Sequence, residues 1–164
     1  MKKIQPVVVT GSMFYKYLAC PHWLYFDTYG DPEKKSKLSR FSEMLLEMGS
    51  LHEQAILEGM SMQKVVGRGN KARCAATVKL MEQGVERIYH GLLMAPGMVG
   101  EPDILEKSNE QSSRLGSYHY IAVDIKNSDR LTDAHRFQLV LYGELLKVVQ
   151  GVRPENGYVI NTQG

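Results

Sequence analysis

The stretch YHYIAVDIKNS, residues 118–128, decides how the fold is interpreted. Successive side chains of a β-strand point to opposite faces, so this run predicts a strand with one apolar face and one mixed face. The mixed face carries Tyr120, Ala122, Asp124 and Lys126. Carboxylate and ammonium groups are seldom buried unless they are paired or bound to a metal ion. The question is therefore whether Asp124 and Lys126 face solvent or a site.

The solvent-facing alternative is an edge strand. Exposed strand faces are commonly charged, and an edge strand would explain Asp124 and Lys126 without any function. The same face also carries Tyr120 and Ala122, and the flanking residues are strongly apolar, which favours a buried central strand. The strand alone leaves both explanations open.

A second aspartate, Asp103, follows the turn residues Gly100 and Pro102 and precedes another strand-like run. If the two strands are neighbours, Asp103 lies beside Asp124, and two adjacent carboxylates repel unless a cation lies between them. Carboxylate oxygens of this kind suit Mg²⁺ or Mn²⁺. Glu101 shares the strand face of Asp103 but lies beside a loop, so it is considered an outer group of the site.

The remaining sequence predicts an α/β fold with a mixed central sheet flanked by helices, in which the strands are joined by hairpins rather than by strict βαβ units. Helices are predicted over residues 12–19, 21–30, 41–59, 72–84 and 133–150. Strands are predicted over residues 62–69, 86–94, 98–106, 118–126 and 156–161. Residues 30–40 are expected to form an exposed loop, and Asp133 is the expected cap of the last helix.

One histidine interrupts an apolar helical stripe. In the predicted helix 41–59, His52 shares a face with Leu45 and Met48, so the pattern predicts a buried histidine. Such a residue is most often a core histidine with a satisfied ring, and a metal ligand is the alternative. In the last helix, Gln138 and Tyr142 are one turn apart on the same face. Such a pair is ordinarily an exposed amide and an aromatic side chain at the boundary of the core.

The chain of 164 residues predicts a single domain over 1–164, and its formal charge of +2 tolerates an anionic partner without requiring one. The start MKKIQPVVVT has no apolar run long enough for a signal peptide, so none is expected there. No stretch approaches the run of about 18 apolar residues that a membrane span needs. With only two cysteines, we expect a cytoplasmic protein with reduced thiols and no membrane association. The sequence stops directly after a predicted strand, which indicates a module or fragment of a longer protein with further domains or protein partners.

In chain order the polar residues form one pattern, which comprises Gly49 and His52 in a helix, Gly-x-x-Asp at Asp103, Asp-x-Lys at Asp124 and Lys126, and Gln-x-x-x-Tyr at Gln138 and Tyr142. This pattern resembles the RecB-like nucleases of the PD-(D/E)XK superfamily, which have a restriction-endonuclease-like core. In particular it is similar to the RecB-like domain that precedes an RNase H-like domain in larger bacterial nucleases. The likeness runs from about Thr10 to the last residue. Beyond the site residues it covers YLACPHWLYFD (17–27), MGSLHEQAIL (48–57), SSRLGSYHYIAVDIK (112–126) and QLVLYGELLKVVQGVRPENGYVI (138–160).

The resemblance implies a metal centre. His52, Asp103 and Asp124 would bind a divalent cation, Mn²⁺ or Mg²⁺. The main-chain carbonyl of Ile125 would be a further ligand. Imidazole is a softer ligand than water or carboxylate, so His52 slightly favours Mn²⁺.

The resemblance also implies a catalytic set that adds three residues to the two aspartates. Lys126 would be the catalytic lysine, and Gln138 and Tyr142 would lie beside the site and contact the substrate or orient the lysine. Some RecB-like enzymes hold an iron–sulfur cluster on one early and three late cysteines. Cys20 is at the early position, but no cysteine follows Cys74, so no such cluster is expected from this chain.

The sequence therefore predicts a metal-dependent nuclease that hydrolyses phosphodiester bonds of DNA, of the DNA-processing or repair type. No base-reading element is recognisable, so DNA is expected to be bound without sequence specificity. The alternative is a non-catalytic nucleic-acid-binding module of a larger assembly. A plain structural α/β domain with a polar strand face is the third explanation, and it would make His52 a coincidence.

Overall fold

The computed structural model describes residues 7–163 as a mixed α/β fold. The helices are α1 (Gly11–Ala19), α2 (Pro21–Tyr29), α3 (Arg40–Leu57), α4 (Gly69–Glu82) and α5 (Asp133–Gln150). The strands are β1 (Gln63–Lys64), β2 (Arg87–Tyr89), β3 (Leu93–Ala95), β4 (Met98–Gly100), β5 (Ile104–Ser108), β6 (His119–Ile125) and β7 (Tyr158–Ile160). All five predicted helices are confirmed, each within three residues of its expected bounds. No helix within residues 7–163 combines the length and the apolar character that a membrane crossing requires.

The central sheet has five strands in the order β1-β2-β5-β6-β7. β5 runs antiparallel to β2 and to β6, whereas β1 and β7 are parallel to the strands beside them. The predicted mixed sheet is therefore confirmed. β6 carries Asp124 and lies between β5 and β7, so the explanation of this strand as a sheet edge is wrong.

Two of the predicted strands are each divided into two. The run 86–94 becomes β2 and β3, and the run 98–106 becomes β4 and β5. β3 and β4 leave the central sheet and pair with each other as a hairpin, whose turn contains Gly97 at φ +74°. The breaks fall at His90, which has φ +51°, and around Pro102, which has no N–H to donate to a strand ladder.

β6 separates two layers of apolar packing. On one face, Tyr120 and Ala122 belong to the main core together with Leu141 and Leu145 of α5. On the other face, Val123 and Ile125 pack with Ile104 and with partly buried residues from the end of α3, Ile56 and Leu57. Because side chains alternate along the strand, Asp124 faces the same layer as α5.

The apolar stripe of α3 is mostly exposed, and the prediction that it is buried is wrong. Phe41, Leu45 and Met48 are 64%, 50% and 47% exposed, and no residue of α3 is fully buried. The physical reason is that only the last turns of the helix reach the sheet, through Ile56 and Leu57. The preceding loop, residues 30–39, is exposed as predicted, apart from a half-buried Gly30, and contains one 3₁₀ turn at Pro32–Lys34.

α5 begins with a different cap from the one predicted. Thr132, not Asp133, is the cap, because its side chain accepts a hydrogen bond from the N–H of His135 while His135 Nδ1 accepts one from the N–H of Thr132. Asp133 is the first helical residue and pairs with Arg136. This reciprocal arrangement is a capping box, and it fixes the start of the helix that carries Gln138 and Tyr142.

A glycine at the end of β4 allows close contact with α5. A Cβ atom at Gly100 would lie 2.6 Å from Leu145 Cδ1 and 2.8 Å from Tyr142 Cδ1, both of which are in the core. We expect Gly100→Ala to lower the free energy of unfolding by about 1–3 kcal/mol, as overpacking does. Urea denaturation measures this change.

Gly49→Ala is the matched control, because a Cβ atom at Gly49 in α3 meets no heavy atom within 4 Å. It should raise the free energy of unfolding by about 1 kcal/mol, the difference in helix propensity between the two residues. Equal effects of the two substitutions would contradict the packing of β4 against α5.

Candidate metal centre

The strand register brings the two aspartates together. β5 and β6 pair Ile104 with Val123, so Asp103, one residue before β5, lies opposite Asp124. Asp103 Oδ2 accepts a hydrogen bond of 2.6 Å from the main-chain N–H of Ile125. Like charges opposite one another on adjacent strands are destabilising. The structure thus places side by side the carboxylates that the sequence pattern pairs.

Burial makes this proximity more costly. The pKa of Asp103 is raised to about 7, first by burial and then by the negative charge of Asp124. The N–H of Ile125 and the ammonium of Lys126 lower the pKa but do not offset these effects. In the metal-free protein Asp103 therefore keeps its proton far above the usual range of an aspartate.

Lys126 lies beside the pair, as its spacing from Asp124 predicts. Its Nζ is 2.5 Å from Asp124 Oδ2, and the Asp124 side chain is only 2% exposed. The ammonium is close enough for an ion pair but is not aligned as a hydrogen-bond donor, so Asp124 Oδ2 is a buried oxygen without a hydrogen-bond partner. Lys126 is 25% exposed, which leaves its ammonium accessible from solvent.

His52 has the second unpartnered atom. Among residues 7–163, His52 Nε2 and Asp124 Oδ2 are the buried side-chain nitrogen and oxygen atoms that lack a hydrogen-bond partner. A core histidine with a satisfied ring, the first explanation of the sequence pattern, does not fit this finding. The role of His52 as a ligand, like that of the carbonyl of Ile125, stays a prediction.

Gln138 and Tyr142 form a hydrogen-bonded chain that ends near Asp103. Gln138 Nε2 donates to Tyr142 Oη at 2.6 Å, and Tyr142 Oη donates to the main-chain carbonyl of Glu101 at 3.2 Å. Tyr142 is buried, and burial and the charge of Asp124 hold its pKa above its usual range. The phenol therefore stays protonated and positions the segment that leads to Asp103.

A cleft of about 310 Å³ opens beside this chain. Glu101, Gln138 and Tyr142 line it together with residues from the starts of α1 and α4. α1 lies directly against the cleft wall, because a Cβ atom at Gly11 would lie 2.9 Å from Gln138 Cγ. Of the predicted site residues, Gln138 and Tyr142 thus line this cleft, and Asp103 follows the lining residue Glu101 by two positions.

Two residues that the sequence analysis did not select lie close to Asp103. Glu53 lies in α3, and His90 directly follows β2. One potential ligand atom from each of Glu53, His90 and Asp103 lies within 4.8 Å of the other two. His90 Nε2 is 3.4 Å from Glu53 Oε1. The strand break at His90 and Gly91 was the available signal, but the sequence prediction ran one strand through it.

Glu101, considered an outer group in the sequence analysis, contacts this same histidine. Its Oε1 is 3.4 Å from His90 Nδ1 and also pairs with Arg73 Nη2. It therefore lies on the opposite side of the His90 ring from Glu53.

Comparison of the sequence with protein-family models gives no match, and no curated protein matches it significantly.

The raised pKa of Asp103 makes the stability of the metal-free protein depend on pH. An unfolded aspartate has a pKa of about 3.9. The protonation of Asp103 therefore stabilises the folded protein fully below about pH 4. This stabilisation is lost as the pH rises through about 7, the pKa of Asp103 in the folded protein. We expect Asp103→Asn to flatten this fall, because an amide has no charge to repel Asp124 and still accepts the hydrogen bond from Ile125.

The measurement is the free energy of unfolding in urea at pH 5 and pH 8, with chelator present. Asp129→Asn, at a side chain that is 67% exposed, is the control and should follow the wild type. An Asp103→Asn variant that loses as much stability as the wild type between these pH values would show that the carboxylates do not repel.

Proposed function

We propose that this chain is a RecB-like nuclease domain of the PD-(D/E)XK superfamily and that it hydrolyses phosphodiester bonds of DNA with the help of Mn²⁺ or Mg²⁺. The observation that carries the proposal is the buried pair Asp103 and Asp124 with the ammonium of Lys126 against it. A mixed sheet that presents this group from two adjacent strands supports the proposal. The finer assignment of the fold to the PD-(D/E)XK core rests on the order of the motifs along the sequence.

The carboxylate oxygens of the pair suit a divalent cation. His52 Nε2 and Asp124 Oδ2 are each buried without a hydrogen-bond partner, which leaves both atoms free to act as ligands. The donor atoms that lie within 4.8 Å of Asp103 as one group come from Glu53 and His90, so a shared ion would require His52 to approach the aspartates. His52, Asp103, Asp124 and the carbonyl of Ile125 would hold it. Oxygen donors suit Mg²⁺ and Mn²⁺, and an imidazole nitrogen shifts the preference towards Mn²⁺. A cation held there supplies Lewis acidity, which lowers the pKa of a water towards neutrality and polarises a phosphoryl oxygen.

Lys126 supplies the chemistry that the carboxylates lack. Its ammonium, 2.5 Å from Asp124 Oδ2, neutralises the pair before substrate binds. It is partly exposed, so it reaches a phosphate that approaches from solvent. There it stabilises the negative charge that develops on the phosphoryl oxygens and orients or deprotonates the attacking water.

The cleft beside Tyr142 is the proposed path of the DNA strand. Tyr142 holds the main chain of Glu101 and so positions Asp103, whereas Gln138 presents its amide at the cleft wall. The other lining groups include the polar residues Thr10, Ser12 and Asn70. These groups suit a sugar–phosphate backbone, which fixes a strand in place but carries no sequence information. Binding without sequence specificity follows.

Cation binding should stabilise the fold. An ion that binds only the native state adds about 2.7 kcal/mol at 100 times its dissociation constant. We expect millimolar Mn²⁺ to raise the melting temperature of the wild type and of Asp129→Asn, but not that of Asp124→Asn, which removes a ligand. A melting temperature that is the same in Mn²⁺ and in chelator for all three proteins would exclude the metal site.

Lys126 should separate binding from cleavage, because it holds neither the cation nor the DNA on its own. We expect Lys126→Ala to retain Mn²⁺ binding and to bind DNA within a few fold of the wild type. Cleavage should fall by about 10²–10⁴-fold, the typical contribution of a positioned proton-transfer group. Lys126→Arg should not restore it, since a guanidinium cannot take a proton from water. Lys147→Ala, at an exposed position of α5, should cleave like the wild type.

The assay uses linear and circular DNA, single- and double-stranded, and a matched RNA, each with Mn²⁺ or chelator. Equal cleavage by the wild type and by Lys126→Ala would show that Lys126 has no catalytic part. If neither protein cleaves any substrate while both bind DNA, the non-catalytic binding module becomes the better explanation.

A further inference from the structure

We infer that Glu53, His90 and Asp103 form a second cation site, which shares Asp103 with the first. The inference rests on the proposed function in one respect: it assumes the first ion, which His52, Asp103 and Asp124 would hold. Its own support comes from contacts of His90 and Glu53 that no step of the nuclease proposal uses.

The three ligands come from three separate elements that meet at one end of the sheet. Glu53 is in α3, His90 follows β2, and Asp103 precedes β5, and their donor atoms lie within 4.8 Å of one another. His90 Nε2 and Glu53 Oε1 are 3.4 Å apart. Adjacent ligands of an octahedral ion with bonds of about 2.1 Å are roughly 3 Å apart, so the His90–Glu53 pair is close to ligand spacing, and Asp103 is near enough to complete the group. The side chains of Glu53 and His90 are 23% and 30% exposed, which leaves a route for an ion.

The second ring nitrogen of His90 faces a carboxylate of its own. His90 Nδ1 is 3.4 Å from Glu101 Oε1, and Arg73 pairs with Glu101 and donates to the main-chain carbonyl of His90 at 3.3 Å. A histidine that binds a metal through one nitrogen typically donates its other N–H to a carboxylate, which fixes the tautomer and the ring. The Glu53 ligand is oriented in the same way, by a hydrogen bond of 2.9 Å from Tyr89 Oη.

The main chain at His90 has an unusual conformation that keeps the ring next to Asp103. His90 is the non-glycine residue with positive φ among residues 7–163, at +51°, a conformation that is unfavourable for an L residue with a side chain. Its N–H still donates to the main-chain carbonyl of Asp103 at 3.0 Å, so the strand pairing continues through the kink. Strain of this kind persists only where the surroundings enforce it, and it is concentrated at ligand sites.

An ion pair between His90 and the two glutamates is the competing explanation, and the count of bound ions decides between it and a cation site. Four carboxylates meet two cationic side chains in this region, namely Glu53, Glu101, Asp103 and Asp124 against Arg73 and Lys126. Acidic side chains therefore outnumber basic ones here, which favours the binding of cations. Two ions that share a carboxylate would clamp one phosphate from both sides.

Counting bound ions tests the inference. Isothermal titration with Mn²⁺ alone, without DNA, should give two ions per chain for the wild type. His90→Gly and Glu53→Gln should each bind one, and His52→Ala should also bind one. His22→Ala, at an exposed histidine of α2, is the control and should bind two. Glu101→Gln should retain both ions but weaken one by about 10–100-fold, as loss of an orienting carboxylate does.

Glycine is the chosen replacement for His90 because it adopts positive φ without strain, so the variant should fold. Thermal melts in chelator check this for every variant. A second readout is the electron paramagnetic resonance spectrum of bound Mn²⁺. Two ions on one carboxylate are magnetically coupled, so the wild-type spectrum at saturation should be broadened, and the His90→Gly spectrum should show the sharp hyperfine lines of an isolated ion.

The outcomes separate this inference from the proposed function. One ion per wild-type chain, bound equally well by His90→Gly, would overturn the second site and leave the nuclease proposal intact. One ion that is lost in His90→Gly but kept in His52→Ala would support the Glu53–His90–Asp103 site and overturn His52 as a ligand. The absence of any bound Mn²⁺ would overturn both the second site and the metal-dependent nuclease.

Discussion

The repulsion between Asp103 and Asp124 is the constraint on which the rest of the site depends. The register of β5 and β6 holds the two carboxylates opposite each other, and burial removes the water that would screen them. Every neighbouring group acts on this repulsion. The N–H of Ile125 and the ammonium of Lys126 reduce it, and a cation would remove it. A fold that keeps such an arrangement at the cost of its own stability gains a strong site for positive charge, which is the property that a metal-dependent phosphodiesterase needs.

The part of the site that the sequence predicted follows from periodicity within single elements. Asp124 and Lys126 share a face because strand side chains alternate, and Gln138 and Tyr142 share one because a helix turn spans about four residues. Glu53 and His90 could not be found in this way. Their proximity to Asp103 depends on which strands are neighbours and on a kink at His90 inside what reads as one continuous strand. Period and spacing contain no information on which helices and strands are neighbours, so the proximity of Glu53 and His90 to Asp103 became apparent only in the structure.

The helix α3 shows the opposite failure, in which a correct pattern led to a wrong conclusion about burial. Its apolar stripe is real, and its bounds were predicted within two residues, yet Phe41 and Met48 are exposed while His52, further along the same stripe, is half-buried. An apolar stripe indicates which face of a helix avoids water, but it does not indicate what covers that face. The core around α5 was predictable because the strand and the helix that pack together, β6 and α5, are both long and strongly patterned.

The position of both carboxylates on one antiparallel pair also bears on how the chain folds. β5 and β6 are joined by the short segment 109–118, whereas the pairing of β6 with β7 requires the whole of α5 in between. Closing a short loop costs less entropy than closing a long one, so the β5–β6 hairpin is the natural early contact of the sheet. Asp103 and Asp124 then come to lie opposite each other while water still screens their charges, and the repulsion reaches its full strength only when the rest of the fold buries them. A divalent cation that binds only the native state would accordingly slow unfolding, and the rate of folding would change little.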